Sequence, residues 1–160
     1  MVLTPPERLD EPYSILIADD DAGNRKTLRA LLEERGFRTL VAADGSEAVD
    51  IVQVETIHLV LIDMHMPRLT GLEAVQLIQQ VHALLPAILM TADATRELMR
   101  QAFQAQVYSV IPKPVNPNIV IHTLTRALAQ FYKDIKAGPA RGPNSPPLPG
   151  ETADADRAAE

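Results

Sequence analysis

"LVLIDMHMPRLTG", Leu59 to Gly71, runs through four apolar residues, ends them on an acid, and then meets a proline and a glycine. A run apolar on both faces is the pattern of a central strand in a parallel sheet. An ionised carboxylate is costly to bury without partners. Asp63 therefore either marks a strand end or is held at a strand tip for chemistry. Acids are common at loop starts, so the rest of the chain has to decide.

Working outward, short apolar runs alternate with longer amphipathic ones, as βα units around a parallel sheet require. "SILIAD" (Ser14 to Asp19) reads as a buried strand. A helix over 22–35 follows, with Leu28, Leu31 and Leu32 on one face, Asp21 as its cap and Gly36 as its stop. "FRTLVAA" is a second strand, and "GSEAVDIVQ" a short helix with Ala48, Val49 and Val52 inward. Beyond the opening stretch, Thr70 and Glu73 form a capping-box pattern before the stripe Ala74, Val75, Ile78 and Val81. "PAILMT" predicts strand four, "ATRELMRQAFQAQ" helix four and "YSVIP" strand five. The last helix starts at Asn116 and Pro117 and runs to about Lys136, with Ile119, Val120, Leu124, Leu128, Phe131 and Ile135 at helical spacing.

The remainder bounds the class. The 160 residues are 46% apolar, enough for one sizeable core with flanking arms. Residues 1–12 read as a flexible arm, 13–136 as the folded domain and 137–160 as a disordered Pro/Gly/Ala-rich tail or the start of a linker. That last segment has five prolines in 24 residues. A net charge of −6 argues against a nucleic-acid or anionic membrane surface. The absence of cysteine excludes disulfides and thiolate metal sites, and no apolar stretch reaches the length of a membrane span. The expectation is a soluble cytoplasmic protein.

In a doubly wound sheet, ligands bind outside the carboxyl ends of the strands where strand order reverses. At those ends stand Asp19 and Asp20, Asp63, Thr91 and Lys113. Three carboxylates packed together repel unless a cation intervenes, and oxygen donors alone suit a hard ion, Mg²⁺ above all. A carboxylate nucleophile, a metal, a lysine and a hydroxyl suit phosphoryl transfer onto Asp.

"ILIADDD", "LVLIDMHMPRLTG", "ILMTA" and "VIPKPV", in this order and at successive strand ends, resemble the signatures of response-regulator receiver domains of two-component signalling. The resemblance covers about Ser14 to Lys136. It implies an α/β fold, a doubly wound (βα)5 parallel sheet of flavodoxin-like, CheY-like type with strand order 2-1-3-4-5. It implies Asp63 as phosphoacceptor, Thr91 as the hydroxyl that binds a phosphoryl oxygen, and Lys113 as the pairing lysine. Mg²⁺ would be held by Asp19, Asp20, Asp63 and the backbone carbonyl of His65, with Asp20 the direct ligand of the pair and Asp19 acting partly through water. The family also implies a cis Lys113–Pro114 bond. The implied partners are a sensor histidine kinase or phosphotransfer protein and a downstream output protein or domain. Direct nucleic-acid binding is not implied, and a homodimer is left open. Such a chain catalyses its own phosphorylation and dephosphorylation but turns over no external substrate.

Two positions depart from the family. Val110 stands three before the lysine, where an aromatic is usual; Tyr108, two residues earlier, is expected on the same strand face. Gln106 and Val107 replace a Gly–Ala pair after helix four, at the cost of a left-handed cap residue. The ring of His65 is expected to face solvent at the site mouth, where it and Asp93 influence phosphate lifetime. His58, His82 and His122 read as surface or core-edge residues, and Met64, Met66 and Met90 as packing around the strand tips. The rival reading is an aspartyl-phosphate phosphatase on a related α/β fold. Those chains usually carry a second Asp two residues past the nucleophile, where this one has His65, and no cap domain is visible. A nucleotide or flavin module ranks lower, since no glycine-rich phosphate loop appears.

Overall fold

The computed structural model describes residues 12–132, so residues 1–11 of the N-terminal arm, Ile135, the expected helix end at Lys136 and the tail from 137 lie outside the described residues. Ten elements alternate: β1 (Ser14–Ala18), α1 (Ala22–Glu34), β2 (Arg38–Ala42), α2 (Gly45–Val54), β3 (Leu59–Asp63), α3 (Gly71–Val81), β4 (Ala87–Thr91), α4 (Arg96–Gln104), β5 (Ser109–Pro112) and α5 (Pro117–Phe131). The strands form one sheet in the order β2-β1-β3-β4-β5. Every pairing is parallel. The expected doubly wound topology is the observed one.

Each strand feeds two cores because successive side chains point to opposite faces. Leu16, Ala18, Val60, Ile62 and Leu89 pack under α2, α3 and α4. Ile15, Ile17, Leu59, Leu61, Ile88 and Met90 pack under α1 and α5. All residues of β1, β3 and β4 are buried, which is why these strands read as continuous apolar runs.

The helix starts follow the capping chemistry. Asp21 accepts from Asn24 N–H, Thr70 and Glu73 complete a capping box, and Asn116 accepts from Asn118 and Ile119 N–H. Helix α4 is shorter than its apolar pattern, since Thr95 caps it by accepting from Leu98 N–H. Ile119, read from spacing as part of the α5 stripe, is instead exposed. It lies in the first turn of α5, at the rim of the sheet, whereas Val120, Leu124 and Leu128 reach the core.

Tyr108 also differs from expectation. It precedes β5, and its ring lies on the α5 side, edge-on to Phe131 with centroids 6.1 Å apart. Val110 packs into the opposite core, under α4. Strand alternation does not govern a residue just outside an edge strand, so the two do not share a face.

Candidate functional site

Reversal of strand order around β1 and β3 opens a crevice at their carboxyl ends. Asp19 follows β1 and Asp63 ends β3, with Met90 of β4 in register beside it. Asp19 and Asp63 are buried while Asp20 is exposed. Carboxylate oxygens of Asp19, Asp20 and Asp63 all lie within 4.8 Å of one another. The Lys113 ammonium bridges the two buried acids, with Nζ 3.1 Å from Asp63 Oδ1 and 3.3 Å from Asp19 Oδ2. It comes from the far edge of the sheet, just after β5, where its N–H donates to Thr91 O. The Lys113–Pro114 peptide is cis.

The local charge balance is set by these contacts. Burial pushes the Asp63 carboxyl above the ordinary carboxylate range and the charge of Asp19 adds to this; the hydrogen bond from Lys113 opposes without cancelling it. Burial alone would lower Lys113, but its hydrogen bonds and charge attraction to Asp63 and Asp19 hold it above its usual value. Among the described residues the cluster sets three acids against Lys113, with oxygen donors only. That donor set fits a hard divalent cation.

The backbone at Asp63 packs closely against Gly71. A Cβ there would lie 2.3 Å from the carbonyl oxygen of Asp63. Helix α3 therefore starts in direct contact with the main chain of Asp63, and Gly71 N–H donates to Met64 O. This is the physical reason for a glycine so soon after the strand.

Thr91 is fully buried at the tip of β4. Its Oγ1 accepts from Asp93 N–H at 3.1 Å. It also lies 3.3 Å from Nε2 of His65. The His65 ring is exposed, as expected, but it leans across the mouth onto the Thr91 hydroxyl, a contact that sequence position alone does not reveal. His65 N–H donates to Asp63 Oδ1 at 3.3 Å. A second unforeseen contact is made by Arg25 of α1, whose Nη1 donates to the backbone carbonyl of Asp19 at 2.6 Å. The five expected side chains are thus gathered at one edge, with His65 beside them.

Residues 15–125 match the model of the response regulator receiver domain. The chain belongs to this receiver family. Among curated relatives, the receiver is 33% identical over 116 residues to sensor histidine kinase RcsC of Escherichia coli, covering 72% of this chain and 12% of that one. It is 31% identical over 121 residues to the transcriptional regulatory protein PdtaR of Mycobacterium tuberculosis, covering 75% and 58%. It therefore spans little more than half, and often far less, of the curated relatives it matches. Among solved structures, a CheY-like receiver domain protein from Methanospirillum hungatei superposes with a TM-score of 0.74 at 26% identity, covering 77% of this chain and 98% of that one. Chemotaxis protein CheY4 of Vibrio cholerae gives 0.70 at 25% identity, covering 72% and 98%.

Proposed function

We propose that this receiver is a phosphoacceptor switch: a histidine kinase or phosphotransfer protein donates a phosphoryl group to Asp63, and the altered surface engages a downstream output protein or domain. The observation that carries this reading is the Lys113 ammonium, which lies within 3.3 Å of both buried acids. It leaves Asp63 ionisable yet weakly solvated, the condition for a carboxylate nucleophile.

An Asp63 oxygen attacks phosphorus, the bond from phosphorus to the donor nitrogen breaks, and the donor imidazole leaves with that electron pair. Asp19, Asp20, Asp63 and the carbonyl of His65 would hold Mg²⁺, which supplies charge neutralisation for the phosphoryl oxygens. Lys113 exchanges its carboxylate partner for a phosphoryl oxygen. The Thr91 hydroxyl, whose oxygen already accepts from Asp93 N–H, donates its proton in a hydrogen bond to the phosphoryl group. An added charge approaching two units at Asp63 then biases the β4–α4 region. Val110 leaves no aromatic to follow Thr91 inward, so coupling runs through Thr91 and backbone movement. Turnover of an external substrate is not part of this role, and a phosphatase reading has no second Asp to act as acid at position 65. The receiver unit is assigned to 13–136 and its location to the cytoplasm.

The test is incubation with acetyl phosphate and Mg²⁺, with and without EDTA, followed by intact mass. A gain of one phosphoryl group is expected only with the metal, and Asp63→Asn abolishes it. Persistence of the gain in Asp63→Asn moves the acceptor elsewhere and overturns the assignment. Thr91→Ala should accept phosphate but lose the amide-exchange response.

A further inference from the structure

Every polar atom of Asp19 has a partner. Its N–H donates to Ala42 O, its Oδ1 accepts from Asp21 N–H at 2.9 Å, and its Oδ2 accepts from Lys113. Its carbonyl oxygen accepts the short bond from Arg25 Nη1, 2.6 Å. That last contact differs from the others. The carbonyl belongs to the planar peptide that joins Asp19 to Asp20, so fixing the oxygen fixes the whole peptide plane. Asp20 is exposed, and among the described residues no hydrogen bond or ion pair to its side chain is seen. Its aim toward Asp63 is thus set by its main chain. Arg25 is partly buried, and its own N–H is bonded to Asp21 O within α1. The helix therefore anchors the guanidinium, and the guanidinium anchors the acid pair.

We infer that Arg25 is a positioning residue for the metal site, holding the Asp19–Asp20 peptide where Asp20 can share a divalent cation with Asp63. This rests on the reading of the acid cluster as a Mg²⁺ site. Simple electrostatics points the other way. A fixed positive charge beside a cation site repels the cation, so its removal should tighten binding. Positioning predicts that removal weakens binding, as loss of a group that orients metal ligands generally does. The sign of one measurement separates the two.

The experiment is calorimetric titration of the full chain with MgCl₂, comparing wild type, Arg25→Met and Arg25→Lys. Circular dichroism and urea midpoints in EDTA establish that each variant is folded. Arg25→Met is expected to bind Mg²⁺ about tenfold more weakly. Arg25→Lys keeps the charge but replaces the planar fork with a single ammonium, and should fall between the two. Wild-type affinity in either variant, or tighter binding in Arg25→Met, overturns the inference. If Arg25→Met does not fold, Arg25→Lys decides alone: weakened binding supports the positioning role and unchanged binding refutes it. A wild-type chain that takes up no Mg²⁺ overturns the functional reading instead.

Discussion

At the residue scale, the site is held in tension by Asp63. Its carboxyl is raised chiefly by burial, so the folded chain binds this proton more readily than the unfolded chain does. Between the unfolded and folded pKa values stability therefore falls as pH rises, and at neutral pH ionised Asp63 opposes folding. Asp63→Asn removes that cost. In EDTA its melting temperature should exceed that of wild type at neutral pH, and the difference should shrink as pH falls through the folded-state pKa. Thermal melts of the two proteins across pH check this; a constant difference would mean that ionisation of Asp63 is not its source.

At the element scale, α1 and α4 end in the same way on different residues. After α1, Gly36 takes φ 91°, with Gly36 N–H donating to Glu33 O and Phe37 N–H to Leu32 O. After α4, Gln106 takes φ 61°, with Gln106 N–H donating to Phe103 O and Val107 N–H to Ala102 O. Both are left-handed caps of the Schellman type. The fold imposes this conformation whether or not the residue favours it. Gln106→Gly should stabilise the protein by about 0.5–1 kcal/mol, read as a higher urea midpoint at unchanged slope. These ends also mark what could be read from sequence. Strand ends, the caps at Asp21, Thr70 and Asn116, and the placement of five polar side chains at the strand ends were legible because each follows from local periodicity or capping chemistry. The Arg25–Asp19 and His65–Thr91 contacts were not. A long side chain reaching back to a carbonyl, or an exposed ring leaning over a crevice, leaves no periodic trace. Tyr108 was misplaced for a related reason: alternation was extended one residue past the end of an edge strand.

Across the whole molecule, the edge opposite the acids is closed by a cluster of rings. His58, just before β3, accepts from Ser14 N–H at its Nδ1, 2.9 Å. The Tyr132 hydroxyl, at the end of α5, donates to His58 O at 2.8 Å. Tyr13 packs against both, with ring centroids 5.2 and 5.4 Å away. Burial pushes the Tyr13 hydroxyl up to about 12, so it stays neutral throughout the ordinary pH range. The cluster ties the last helix to the first and third strands. Tyr132→Phe should cost about 1 kcal/mol in urea unfolding by leaving a buried carbonyl short of its partner; no change would show that ring packing alone holds the helix. The chain has three tyrosines and no tryptophan. Two of its three tyrosines thus sit at the far end of the sheet from Asp63, and the third, Tyr108, rests against Phe131. Light emitted by this protein reports on its foundation, not on the edge that carries Asp63. Under the proposed role a fluorimeter should register little as Asp63 takes up phosphate, and a tryptophan engineered near the mouth of the crevice is the reporter this molecule lacks.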